Sequence, residues 1–315
     1  MDMMEKNEKI QEKNVVRSFA YVGARPEEAE RLGRPSMTYF QDAVRRFRKN
    51  PAAMAGVALL IVFTLLSFLG PALSGYAYDM TDLTAANQPP SAEHWFGTDE
   101  LGRDLWARVW TGGRVSIIIG AVAAVLQGVI GIFVGSVAGF VGGKVDEFIM
   151  RIVEFLQAFP YLVWVTLLMM VTGAGIFPMI LALTLTGWLS MARLVRGQIL
   201  SLKHEDYVVA AISLGSSAKR TVVKHMIPNM MGIIIVNMTF AIPGAIFSEA
   251  FLSFIGIGIA SPQTSWGLLV SIGMTQIYTY PLRLLIPCVC ISLTMLSLQL
   301  IGDGLRDALD PKLRR

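Results

Sequence analysis

Six runs of roughly 20 apolar residues constrain this chain more than any other feature. A helix rising about 1.5 Å per residue needs about that many to cross a hydrocarbon core of roughly 30 Å. The runs are Ala52–Leu73, Val115–Val141, 151–172, Gly175–Val195, 231–257 and 282–301. They predict an all-α, polytopic membrane protein with six transmembrane helices. The third run begins with charges, Arg151 and Glu154, and turns uniformly apolar only from Phe159. With 54% hydrophobic and 16% charged residues, the chain departs from soluble domains, which carry about a quarter charged residues. The first fifty residues are polar and charged, so the first apolar run reads as a retained span behind an N-terminal tail, not as a cleaved leader.

Orientation follows from the short loops, where Lys and Arg collect on the cytoplasmic side. Arg45 to Asn50 reads RRFRKN, the connection after the fourth run holds Arg196, Lys203, Lys219, Arg220 and Lys224, and the chain ends KLRR. Six crossings put all three on one side. The first outer loop, 75–114, instead carries Asp79, Asp82, Glu93, Asp99, Glu100 and Asp104, and no charge lies between Ala260 and Leu282. Both termini are therefore expected in the cytoplasm. The net charge of +4 does not point to nucleic acid, because the basic residues flank apolar runs instead of forming one polar face. Membrane lipid is the expected surrounding, and nucleic acid is not an expected partner.

Small and kinking residues recur inside the runs. Gly131, Gly135 and Gly139 repeat every four positions and let a neighbouring helix approach closely. Pro160, Pro178, Pro243 and Pro287 are expected to interrupt helical hydrogen bonding. Cys288 and Cys290 read as inert thiols on different sides of one helix. Arg151 and Glu154, three apart, are expected to pair on one face. Glu249 lies within the fifth run, where it either hydrogen-bonds a neighbouring helix or lines a translocation path. The three histidines fall outside the runs, which argues against a proton relay. HExxH, GxSxG and CxxC patterns are missing, as is a phosphate-binding GxxxxGK[ST] loop, so any ATP-driven role needs another chain. The sequence does not read as that of an enzyme, and neither a cofactor nor a metal is expected on it.

One polar stretch interrupts the apolar pattern: DYVVAAISLGSSAKRTVVKHMIPN, Asp206 to Asn229. Asp206 is a candidate cap for a helix starting at Tyr207, and Gly215 can adopt the left-handed conformation that ends one. Ser216 or Ser217 is then placed to cap a second short helix, closed by Pro228 and Asn229. The first helix is small and apolar, and the second puts Arg220 and Lys224 four apart. From its residues alone this pair suits two neighbours equally: lipid headgroups or a groove on a partner protein.

The same stretch resembles the EAA loop of ABC importer permeases: Glu-Ala-Ala, three residues, Gly, nine residues, Ile, one residue, Leu-Pro. Ala210, Ala211 and Gly215 match in register and Pro228 falls at the expected distance. Val209 replaces the glutamate, His225 the isoleucine and Ile227 the leucine. Three more stretches, His94 to Ser116 (HWFGTDELGRDLWARVWTGGRVS), Ser248 to Gly258 (SEAFLSFIGIG) and Gly302 to Arg315, resemble the permeases of oligopeptide, dipeptide and nickel importers. The likeness runs from Arg45 to the end and favours the oligopeptide branch.

The resemblance implies a type I ABC importer permease fold in a bacterial inner membrane. It implies a first transmembrane helix at 51–74 and a core at 115–315 containing coupling helices at 206–228. The implied partners are a second homologous permease, two cytoplasmic ATPases that use ATP and Mg, and an extracellular peptide-binding protein that could meet the loop 74–114. Coupling to the ATPases would fall to Val209, Ala210, Ala211, Leu214, Gly215, Lys219, Arg220 and Pro228. Dipeptide or nickel import is the alternative cargo. A peptide carrier needing no ATPase, or a membrane anchor without transport, would be different proteins altogether, and neither accounts for so organised a helix pair.

Overall fold

The computed structural model describes residues 38–310. The N-terminal tail before Thr38 and the closing KLRR lie outside them. Contacts separate a short unit up to residue 41 from a unit beginning at residue 42, and the bundle below belongs to the latter. Among the described residues all regular structure is helical, with one isolated bridge between Thr98 and Asp104.

The helices follow the apolar runs, with instructive differences at their ends. After α1 (Tyr39–Lys49), α2 (Pro51–Ser74) starts where Asn50 accepts a hydrogen bond from the Ala53 N–H and Pro51 occupies the first turn. Next comes α3 (Leu105–Val141), which begins ten residues before the apolar run because the Asp104 carboxylate caps it at the Ala107 N–H, 2.8 Å away. The outer loop therefore closes at Asp104 rather than at 114. The third run is not one helix. Its charged first half belongs to α4 (Gly143–Ala158), and α5 (Tyr161–Thr172) follows after an 86° bend at Phe159–Pro160. A proline forces its predecessor out of the helical region, and Phe159 is extended at φ −93°, ψ 142°.

Three further elements complete the membrane part. α6 (Ile176–Leu202) runs well past Val195, so Arg196 lies within it. Pro178 does not interrupt it, because it sits in the first turn, where its missing N–H is not needed. Beyond the polar stretch, α9 (Ile227–Phe254) and α11 (Leu282–Leu309) carry Pro243 and Pro287 inside continuous helices. Between these two, the uncharged connection holds a short apolar helix, α10 (Trp266–Thr275), capped by Ser265. Among the described residues five helices are long and apolar enough to cross a membrane, and six spans result if the bent pair α4–α5 counts as one.

Helix α3 is the spine, packing most extensively on α6 and also on α2 and α9. The glycine repeat lies in the α3–α6 seam. A Cβ on Gly131 would stand 2.5 Å from the Met191 Cβ, one on Gly139 would stand 2.9 Å from the Ile199 Cβ, and one on Gly135 would run into the Ala192 carbonyl. Close backbone approach replaces a hydrophobic driving force that lipid does not supply between spans. Beyond the end of that seam Arg196 of α6 grips Asp146 of α4 with two hydrogen bonds of 2.5 and 2.6 Å. Lys203 donates to the Phe140 carbonyl at 2.8 Å. Cys290 is buried and Cys288 half-buried, both as free thiols.

Candidate functional site

Between α6 and α9 the polar stretch folds as two short helices. α7 (Asp206–Ser213) starts one residue earlier than expected: Asp206 is its first helical residue, and the flanking Glu205 makes no side-chain cap. A negative charge in the first turn still favours the helix dipole. At the other end Gly215 has φ +82°, its N–H donates to Ile212 and the Ser216 N–H to Ala211. This is the paired closure that a left-handed residue permits, and a β-branched side chain there is strained.

Ser217 then caps α8 (Ala218–Thr221), accepting from the Arg220 N–H. The buried Thr221 hydroxyl, 3.0 Å from Ser216 Oγ and 3.1 Å from the Ser217 carbonyl, locks the joint. Pro228 and Asn229 do not close this helix. The chain passes through one wide turn, Val222–Met226, with the Ile227 N–H bonded back to Val222, directly into α9. The wider turn accommodates Pro228, which has no N–H of its own. The pair is anchored from beneath by Val208 and Met226, both fully buried in a cluster with Val195, Ile199 and Met230.

Above this anchor the pair presents apolar surface to the outside. Leu214 is 88% exposed, and Val209, Ile212 and Tyr207 are also exposed. The bend encloses a groove of about 520 Å³ lined by Tyr207, Ala210, Ala211, Leu214, Gly215 and Arg220, with Ser216 and His225 completing it. Small residues form its floor and one guanidinium its edge. The groove gathers five of the eight residues singled out from sequence, while Val209, Lys219 and Pro228 lie outside its lining. Tyr207 was not singled out, although its helical spacing to 211 and 214 marks it; nothing in the sequence marks His225, because the wide turn brings it round.

The other singled-out residue, Glu249, has no exposed surface. It accepts from Ser116 Oγ at 2.7 Å and Ser253 Oγ at 2.9 Å. The Trp266 N–H donates to the same Ser116 oxygen at 3.3 Å, so α10 joins the α3–α9 contact at Glu249 through Ser116. Of the two roles open from sequence, the structure displays the hydrogen-bonded one. Arg151 and Glu154 do pair, at 3.3 Å, on the exposed face of α4.

Comparison with known proteins agrees with this architecture. The family described as "Binding-protein-dependent transport system inner membrane component" matches residues 131–315. The chain belongs to this family. A second description, "N-terminal TM domain of oligopeptide transport permease C", matches residues 38–90. The permease is 48% identical to the oligopeptide transport system permease protein OppC of Bacillus subtilis, over 94% of this chain and 97% of that one. It is 49% identical to the dipeptide transport system permease protein DppC of the same organism, over 91% and 90%. The Escherichia coli K12 OppC is 43% identical over 90% and 95%. The chain is thus an integral inner-membrane permease and not itself an enzyme; it is one component of a transport system that has others.

In the permease the connection between α2 and α3 folds into a tight cap. Asp99, nearly buried, accepts from the Leu101 and Arg103 N–H groups and from Arg103 Nε at 2.7 Å, and Arg108 Nε lies 3.6 Å away. His94 Nδ1 is 2.9 Å from Asp104. Arg283, at the start of α11, donates to the Asn87 side chain and the Thr98 carbonyl. Trp106 donates to Gly70 on α2 at 2.7 Å. Asp82, held below the usual carboxylate range by hydrogen bonds from Thr84, caps a single 3-10 turn, Leu83–Ala85.

Proposed function

We propose that the permease is the membrane subunit of an ATP-driven oligopeptide importer and that the α7–α8 pair is where a cytoplasmic ATPase docks. The observation that carries this is the groove at Gly215: short capped helices, anchored by Val208 and Met226, with Leu214 left almost fully exposed. Exposed apolar side chains on a rigid pair fit a protein groove and can transmit a push into α6 and α9. The oligopeptide cargo is taken from the relatives' names and the match at residues 38–90.

In this reading a second, homologous permease completes the path, and two ATPases consume ATP with Mg. A binding protein delivers peptide at the outer face, where the cap at 75–104 stands. Both termini lie in the cytoplasm, as the basic residues at 45–49, 219, 220 and 224 favour. Val209, Lys219 and Arg220 take the rim of the contact, and Pro228 fixes the exit of the pair. Glu249 organises the outer end of α9 without touching cargo. The test is reconstitution of the four kinds of component in liposomes, with peptides of two to six residues. Import that requires ATP and disappears in Leu214→Asp is expected; import by the permease alone would contradict it. Preference for two residues over longer peptides would instead favour dipeptide cargo, which the DppC relative raises.

A further inference from the structure

Near the middle of the bundle, three polar side chains meet with hydrogen-bonding capacity unspent. Gln127 of α3, Ser190 of α6 and Asn237 of α9 line one cavity of about 100 Å³, each near the centre of its spanning helix. Gln127 Nε2 donates to the Leu183 carbonyl at 3.0 Å, and Asn237 Nδ2 donates to Ile233 in its own helix at 2.9 Å. Among the described residues nothing donates to the amide oxygen of either side chain, and the Ser190 hydroxyl makes no hydrogen bond. Gly187 makes room for this arrangement, since any side chain there would collide with the Gln127 amide.

Polar groups with unmet hydrogen bonds are costly at bilayer depth unless they line water or meet a polar solute. Groups so placed mark solute routes, and transporter sites favour the midplane. Asn237 lines a second cavity as well, of about 570 Å³, between α9 and the end of α11 with Phe240, Arg306 and Asp310. One side chain thus joins the mid-depth cavity to a larger one whose lining bears both signs of charge.

We infer that Gln127, Ser190 and Asn237 form a hydrated step of the translocation path, where their oxygens accept hydrogen bonds from the backbone N–H groups of the passing peptide. Backbone N–H groups are common to peptides of every sequence, and the three residues are uncharged. The step therefore passes peptides without regard to side-chain charge. This inference rests on the peptide-import reading above.

The complete complex in proteoliposomes tests it, with Cys288 and Cys290 replaced by alanine and single cysteines at Ser190 or Asn237. Both thiols are expected to react with a water-soluble thiol reagent about tenfold faster than a cysteine at the exposed, apolar-facing Phe133, since thiolate forms poorly in apolar surroundings. Trialanine should slow that labelling. Asn237→Leu should lower import of trialanine and of its central-Lys and central-Glu variants by one common factor of about five to ten, with Asn237→Ser retaining more. Labelling no faster than at position 133 would mean that a helix of the second subunit covers these residues, and would overturn the inference. So would wild-type import of all three peptides by Asn237→Leu, or a loss that depends on peptide charge. In each of those cases the unmodified complex still imports peptide and the broader reading stands. An unmodified complex that imports none of the three overturns both.

Discussion

The connection between α2 and α3 and the connection between α6 and α9 look alike in sequence, both being polar interruptions of apolar chain, yet only the first builds a network of buried charges. The first leaves Asp79, Asp82, Glu93 and Glu100 exposed but gathers its other charges into a buried network. Asp99, Arg103, Asp104 and Arg108 are all buried, and Arg283 reaches in from α11 to hydrogen-bond the loop. The second leaves Lys219, Arg220 and Lys224 exposed and turns Leu214 and Val209 outward. A network of buried charges ties the first segment to the fold, whereas the second has none and its exposed apolar helix pair suits the docking proposed above.

Substitutions in the two regions should therefore separate folding from transport. The largest effect is expected from Gly215→Val: at φ +82° a β-branched residue is strained, so the bend is lost and ATP-driven uptake falls to background while the protein inserts in normal amounts. Normal uptake by this variant would erase the contrast. Asp99→Ala should act through the fold instead. It leaves Arg103 and Arg108 buried without their carboxylate, costing about 3–5 kcal/mol, read as a lower unfolding temperature and poor recovery from detergent.

Glu249→Gln exchanges the carboxyl for an amide among Ser116 and Ser253 and should cost about 1–3 kcal/mol. Whatever protein survives should import the same peptides in the same ratios; an altered peptide preference at normal protein levels would place Glu249 on the path. The smallest effect belongs to Val209→Glu, which restores the residue of the related loop pattern at an exposed position. Stability should change by less than about 0.5 kcal/mol, and ATPase activity should stay close to that of the unaltered complex because residue 209 sits at the solvated rim of the proposed contact, outside the groove lining.

The sequence made the spans readable because apolar length is a direct physical requirement of the bilayer, and the glycine repeat was readable because close helix packing needs small residues in one register. Gly215 was equally plain, since few other residues take its conformation. The broken third span was harder: Pro160 was visible, but only the packing of α4 and α5 decides whether a proline kinks a helix or divides it by 86°. The same ambiguity hid the wide turn before Pro228, which brings His225 to the groove, and the capping that extends α3 back to Leu105. Ends and breaks depend on individual hydrogen bonds, whereas spans depend on summed hydrophobicity, and only the sum is conspicuous in a sequence.

The most direct test of the central claim is a cysteine placed at Leu214, in a background without Cys288 and Cys290, and cross-linked within the assembled complex by a short thiol reagent. The docking account predicts a covalent product with an ATPase subunit, with ATP hydrolysis uncoupled from import once the link has formed. A cysteine at 214 that stays free, or links only to lipid-phase reagents while peptide import proceeds normally, would contradict it.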